Sequence, residues 1–236
     1  MNYSCVLFDL DNTLLKKTPT VPEKAYEILK KHNVNIEPET LQMIYAHSEY
    51  WIGEQILREN ETGVIMDDNE FIGNILSFYS RHFNVEDQLK EELTEIITGN
   101  YESSVCLADN AEHILRSLSN AGIRLGIVSN NRAKIRTTLD ILGITEYFDS
   151  IVISDEVGLS KPNPEIMNLA ISQIGSDKLS VLYVGDHPFD ILCAHNAGIH
   201  VAWCPPNRFY TLNNSIDSPE YKIQSLDELL QLIFKD

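Results

Sequence analysis

Short apolar runs alternate with longer segments of helical spacing along most of this chain, and that alternation narrows the fold to one class. Residues 5–10, 124–129, 151–154, 180–185 and 200–204 are short, β-prone and bounded by polar residues. That is the pattern of strands buried on both faces. Residues 110–120, 132–142, 164–174 and 189–197 lie between them and carry apolar positions at helical intervals. Gly122, Gly143, Gly175 and Gly198 each follow one of these segments, where a helix C-terminus favours glycine. The rhythm predicts an α/β class: a Rossmann-like, mostly parallel sheet with helices on both faces. A last strand and helix are expected over 222–225 and 226–234.

From residue 16 to about 101 the rhythm breaks. Helical spacing predicts four helices there, roughly 22–32, 38–60, 68–83 and 86–98, and no strand. Pro22 sits where a helix start tolerates its missing N–H. Asp68 reads as an N-cap, ahead of an apolar stripe of Phe71, Ile75, Leu76 and Phe78. The expected organisation is an α/β core domain built from 1–15 and 102–236, with an inserted all-helical cap domain over 16–101. Entry passes through KKTPTVP (16–22), a candidate hinge, and the exit lies within 99–108.

Composition excludes several classes of function. A formal net charge of −17 repels nucleic acid polymers and anionic membranes. Any anion site must therefore be built locally, from amides, a lysine or a metal. Cys5, Cys106, Cys193 and Cys204 form no Cys-x-x-Cys pair, so they read as free thiols of a reducing compartment. Asp9 and Asp11 interrupt the first apolar run, and no run is long enough to span a bilayer. The expectation is a cytoplasmic protein, monomeric or homodimeric.

Four short signals fall at or just beyond strand ends, the edge where open parallel sheets bind ligands. In FDLDNT, Asp9 could attack phosphorus as a carboxylate nucleophile and Asp11 could exchange a proton with the leaving group and then with water. A simple turn would use the same residues. In IVSNN, Ser129 and Asn130 could bind phosphate through a hydroxyl and amides, or they could cap a helix. In LSKPNPE, Lys161 could neutralise phosphate and orient Asp9, or it could sit in solvent. In YVGDHPFDI, Asp186 could bind magnesium, with Asp190 holding a water or the Lys161 ammonium; a helix cap with a first-turn acid reads alike. Together the set suits phosphoryl transfer, and neither a Walker A sequence nor Gly-x-Gly-x-x-Gly is present.

These four signals, in this order, resemble the motifs of the haloacid dehalogenase superfamily over nearly the whole chain. The resemblance implies Asp9 as nucleophile and Asp11 as acid/base. It implies a Mg2+ site from the Asp9 side chain, the Asp11 carbonyl and Asp186, with Asp190 in support. It also implies phosphate binding by Ser129, Asn130 and Lys161, and a type 1 helical cap of subfamily I. An acid at Asp11 argues against dehalogenation. The expected activity is hydrolysis of a small phosphorylated metabolite, of the sugar phosphate, phosphoglycolate or nucleoside monophosphate class, through a phospho-aspartate. A phosphomutase or a non-catalytic binding protein on the same fold is the alternative. His187, Pro188 and Phe189 depart from the small polar residues usual between the last two acids. In the second cap helix His47, Tyr50, Trp51 and Arg58 stay open between packing and substrate recognition. Lys16 and Lys17 stay open between contacting an anionic leaving group and lying in water.

Overall fold

The computed structural model describes residues 3–212 and 218–234. In chain order its elements begin with β1 (Cys5–Phe8), β2 (Leu15–Thr18), α1 (Val21–Lys31), α2 (Pro38–Thr62), α3 (Asp68–Ser80), α4 (Asp87–Ile97) and β3 (Ser104–Leu107). Then follow α5 (Ala111–Asn120), β4 (Arg124–Ser129), α6 (Ile135–Ile141), β5 (Ser150–Ile153), α7 (Ser154–Val157) and α8 (Glu165–Ile174). The chain closes with β6 (Val181–Gly185), α9 (Pro188–Ala197), β7 (His200–Trp203), β8 (Tyr221–Lys222) and α10 (Asp227–Ile233).

Six strands form one sheet in the order β5-β4-β1-β6-β7-β8, and every neighbouring pair is parallel. The fold class is therefore the α/β arrangement that the strand–helix rhythm predicts. Side chains alternate across the pleat. Val6, Phe8, Leu125, Ile127, Leu182 and Val184 pack on one face against Ile114 and Leu118 of α5 and Leu229 of α10. On the opposite face Leu7 closes on Gly126, where an added Cβ would stand 2.6 Å from the Leu7 side chain and 2.9 Å from Ile174 of α8. A side chain at this position would have to displace the ends of Leu7 and Ile174. Strand order reverses about β1, with β4 to one side and β6 to the other. This is the crevice position at which such sheets bind ligands.

The chain divides into two compact units. One runs up to Lys16, from Val105 to Pro206 and again from Leu212. The other is Lys17–Ser104 with Asn207–Thr211, a short segment that the sequence places with the sheet. Within the second unit α1 to α4 close on a core of Leu29, Leu41, Ile44, Ile75, Tyr79 and Leu93. Thr20 caps α1 through a reciprocal pair with Glu23, satisfying two helix-end donors. The cap of α3 is Asp67, one residue before the expected Asp68; its carboxylate accepts from Asn69 and Glu70. Trp51 stacks at 5.5 Å from Phe71 and 6.5 Å from Phe78, so it packs among the helices. Arg208 and Glu39 pair at 2.5 Å, and the Tyr210 and Tyr50 rings lie 5.8 Å apart.

Two expectations need correction. The stretch read as strand-free contains most of β2, which pairs with β3 in a separate two-stranded sheet. The supposed hinge KKTPTVP thus contributes its first residues to a strand. Lys16 in that strand pairs with Asp109 at 2.5 Å. The helix expected from residue 132 begins at Ile135. The Arg132 amide donates to the Asn131 side chain and the Ala133 amide to Asp155, which draws both residues out of the helical path. Among the described residues, no helix is long and apolar enough to cross a membrane.

Candidate active site

Asp9 follows β1 directly, and its amide donates to the Val184 carbonyl of β6 at 2.9 Å. That bond extends the parallel pairing one residue past the strand and fixes the carboxylate at the sheet edge. Lys161 lies in the loop before α8. Its ammonium donates to Asp9 Oδ1 and to Asp190 Oδ1, at 2.6 Å in each case, and to the Tyr183 hydroxyl at 3.0 Å. All three donors of the ammonium are thereby directed. Asp9, Lys161 and Asp186 are each 5% exposed and Asp190 is fully buried. A buried charge survives only when paired and hydrogen-bonded, and Lys161 meets that condition with two carboxylates.

The loop is held in place through its main chain. Asn130 Nδ2 donates to the Lys161 carbonyl at 2.9 Å, and Asn130 Oδ1 accepts from the Lys161 amide at 2.8 Å. The Asn130 side chain thus positions Lys161, and its second N–H and its main-chain amide are left as donors for an anion. Ser129, 1% exposed, ends β4 beside it. Asn131 donates to Asp11 Oδ2 at 2.8 Å, although Asp11 is exposed at the rim of the cluster.

Asp190 is occupied on both oxygens. Oδ1 receives Lys161 and lies 3.1 Å from the Tyr183 hydroxyl, while Oδ2 accepts from the His187 amide at 2.9 Å. His187 Nδ1 in turn accepts from the Phe189 amide at 3.1 Å, which completes a capping box at the start of α9. The unusual residues between Asp186 and Asp190 therefore build a helix start that presents the second acid inward. Gly185 is required for it: a Cβ there would stand 2.3 Å from Asp190 Oδ2. Asp186 accepts a side-chain hydrogen bond from Asn12, and the Trp203 indole donates to the Asp186 carbonyl at 2.6 Å.

Asp9, Asp186 and Asp190 each offer a carboxylate oxygen within 4.8 Å of the others. Burial raises the Asp9 carboxyl to about 7; Lys161 pulls it down, while Asp190 and Asp11 push it up. Burial, followed by the charges of Asp9 and Asp190, pushes Asp186 well above the carboxylate range. For Lys161, burial opposes the charge, but Asp190 and Asp9 outweigh it and hold the ammonium firmly protonated. Burial is the first cause of both upward shifts, and the neighbouring acids add to it. Three acids face one ammonium, and the two not saturated by hydrogen bonds, Asp9 and Asp186, carry the excess. Oxygen ligands with surplus negative charge suit a hard divalent ion such as Mg2+, and Asp190 would support Lys161 rather than ligate.

A model of haloacid dehalogenase-like hydrolases matches residues 6–204. The chain belongs to that family. It is an enzyme of the hydrolase class. Pyrophosphatase PpaX of Oceanobacillus iheyensis is 24% identical to it over 99% of this chain and 98% of its own. Pyrimidine 5'-nucleotidase YjjG of Escherichia coli is 38% identical over 48% of this chain and 50% of its own. Among solved structures, a putative hydrolase of the family, YfnB from Bacillus subtilis, bound to magnesium, aligns at a TM-score of 0.64 and 22% identity. It covers 99% of this chain and 100% of its own.

Sequence reasoning singled out Asp9, Asp11, Ser129, Asn130, Lys161, Asp186 and Asp190. The structure joins Asp9, Lys161 and Asp190 by hydrogen bonds and sets Asp186 among them. Sequence reasoning missed Tyr183, whose hydroxyl lies among Lys161, Asp190 and the Val128 carbonyl, because a tyrosine in the run VLYVG reads as packing. It also missed Asn131; the Asn-Asn pair after a strand end was the available signal.

Proposed function

We propose that the protein is a magnesium-dependent phosphatase of small phosphomonoesters, acting through a phosphoryl group carried on Asp9. The observation that carries this reading is the Lys161 ammonium, shared at 2.6 Å by Asp9 and Asp190 inside a buried cluster that sets three carboxyl groups around one ammonium. A purely structural ion pair would not require a third buried acid, Asp186, beside it. The names of the relatives support phosphoryl chemistry: one is a pyrophosphatase and one a nucleotidase. The magnesium of the Bacillus neighbour supports the choice of ion.

In this reading an Asp9 carboxylate oxygen attacks phosphorus in line with the leaving oxygen. Lys161 fixes the carboxylate through one oxygen and neutralises charge on the phosphoryl oxygens, while Ser129 and the amide of Asn130 bind those oxygens. As the ester P–O bond breaks, Asp11 gives its proton to the departing alkoxide. Asp11, now a carboxylate oriented by Asn131, removes a proton from a water that attacks phosphorus. The bond to Asp9 breaks, phosphate leaves and both acids return to their starting states. Mg2+ held by Asp9, the Asp11 carbonyl and Asp186 would screen the negative charge that gathers on the phosphoryl group.

The test is release of inorganic phosphate from a panel of phosphate esters with and without Mg2+. Asp9→Asn should lower turnover by at least ~10³-fold with an unchanged circular dichroism spectrum. Full turnover in that variant would end the nucleophile assignment. Isomerised ester in place of free phosphate would instead favour the phosphomutase alternative.

A further inference from the structure

Asp11 is exposed at the rim of the buried cluster, and a carboxyl at a rim turns freely unless it is held. Asn131 Nδ2 holds its Oδ2 at 2.8 Å. Asn131 itself lies past the end of β4, outside any helix or strand, so no ladder fixes it. Its amide orientation is set by the next residue: Oδ1 accepts from the Arg132 amide at 2.9 Å, which turns Nδ2 toward Asp11. The flipped amide would set its oxygen against a carboxylate.

The main chain of Asn131 is held by Ser154, the residue that follows β5. Ser154 Oγ accepts from the Asn131 amide at 3.1 Å and donates to the Asn131 carbonyl at 3.1 Å. One hydroxyl thus spends its proton and a lone pair on a single residue. The Asp155 amide reaches the same carbonyl at 3.3 Å. A line of hydrogen bonds therefore runs from the end of β5 through Asn131 to the Asp11 carboxyl.

We propose that Ser154 is a positioning residue for proton transfer, acting through Asn131 to keep the Asp11 carboxyl within reach of the leaving oxygen. The inference rests on the phosphatase reading above. In the first step the Asp11 O–H bond breaks, and its proton joins the leaving oxygen as that oxygen parts from phosphorus. In the second the attacking water returns a proton to Asp11. An alkoxide, a strong base, needs the proton in order to leave; a nitrophenolate, a weak base, leaves almost without it. Ser154 therefore bears on esters of ordinary alcohols and hardly on activated aryl esters.

The test compares kcat/KM, with Mg2+ present, for para-nitrophenyl phosphate and for an alkyl phosphate. This constant ends at formation of the phospho-aspartate, before water attacks. Ser154→Ala should lower it about tenfold for the alkyl ester and less than about threefold for the aryl ester. Both esters are assayed on one preparation, so any loss of folded enzyme cancels in their ratio. Asn131→Ala should show the same selectivity with a larger loss. The double variant should match Asn131→Ala alone, because Ser154 then has no side chain left to aim. Equal losses on the two esters, losses that multiply in the double variant, or no loss at all would overturn the proposal while leaving the phosphatase reading in place. Wild type that hydrolyses the aryl ester alone would overturn it too, since Asp11 would then supply no proton. Hydrolysis of neither ester by wild type would instead remove the phosphatase reading, and the proposal with it.

Discussion

The sheet unit and the helical unit use buried polar groups in opposite ways. At the sheet edge three carboxylates and an ammonium are withdrawn from water together: Asp9, Asp186, Asp190 and Lys161. In the helical unit Ser48 and Gln55 are the buried polar side chains among the described residues, neither ionised, and α1 to α4 meet through aliphatic and aromatic groups. The charges of that unit lie at or near its surface, as in the Lys31–Glu92 and Lys24–Glu27 pairs. Burial of apolar surface stabilises without directional demands, whereas each buried charge requires a partner at a fixed place. The helical unit therefore tolerates exchange among apolar side chains of similar volume, and the sheet edge does not tolerate loss of a charge.

Matched substitutions break this comparison most directly. Lys161→Met leaves Asp9 and Asp190 buried without their ammonium and should cost about 3–5 kcal/mol, read as a lower urea midpoint. Leu93→Ala opens a cavity among the helices and should cost about 2–5 kcal/mol. Magnesium separates the two causes: it should recover part of the loss in Lys161→Met, by restoring positive charge, and none in Leu93→Ala. Equal recovery in both would remove the charge argument.

A smaller effect is expected from Tyr183→Phe. It removes the hydroxyl that lies within hydrogen-bond distance of Lys161, Asp190 and the Val128 carbonyl. Loss of about 1–3 kcal/mol should follow, since buried partners are left unsatisfied. Turnover should fall with it, because the ammonium loses one of its three anchors. Unchanged stability and turnover would make the hydroxyl a bystander.

The smallest effects are in pH dependence, and the two units should differ in sign. In the folded sheet unit without a divalent ion, Asp9 titrates at about 7, above its unfolded value. Its contribution is present at low pH and is lost as pH rises through about 7. In the helical unit the His32 and Lys31 side chains hold the Glu92 carboxyl below its ordinary value. That contribution is present above the unfolded value and is lost as pH falls through the folded one. Hydrogen exchange resolved by unit should show the sheet loosening toward alkaline pH and the helices toward acid. A common sign in both units would defeat the assignment.

What the sequence made legible follows the same division. Buried parallel strands announce themselves as apolar runs, so β1, β4, β5, β6 and β7 are readable, and so are the acids that follow β1 and β6. β2 and β3 escape notice because LKKT and SVCL offer neither a buried run nor a clean alternation. A two-stranded pair needs only backbone complementarity. The sequence also marks Asn130 and Lys161 as candidates for one site. It does not show that one grips the other, because a contact 31 residues apart in the chain depends on where the sheet sets the two loops. Side-chain roles within a pattern are thus harder to read than the pattern itself.

The Asn130 clasp has a consequence for engineering. It holds the amide and carbonyl of position 161 and takes no account of the side chain mounted there. Loop path and chemical identity are therefore separate variables at this position. A designer can exchange the head group delivered to the sheet edge while the route of the chain is preserved.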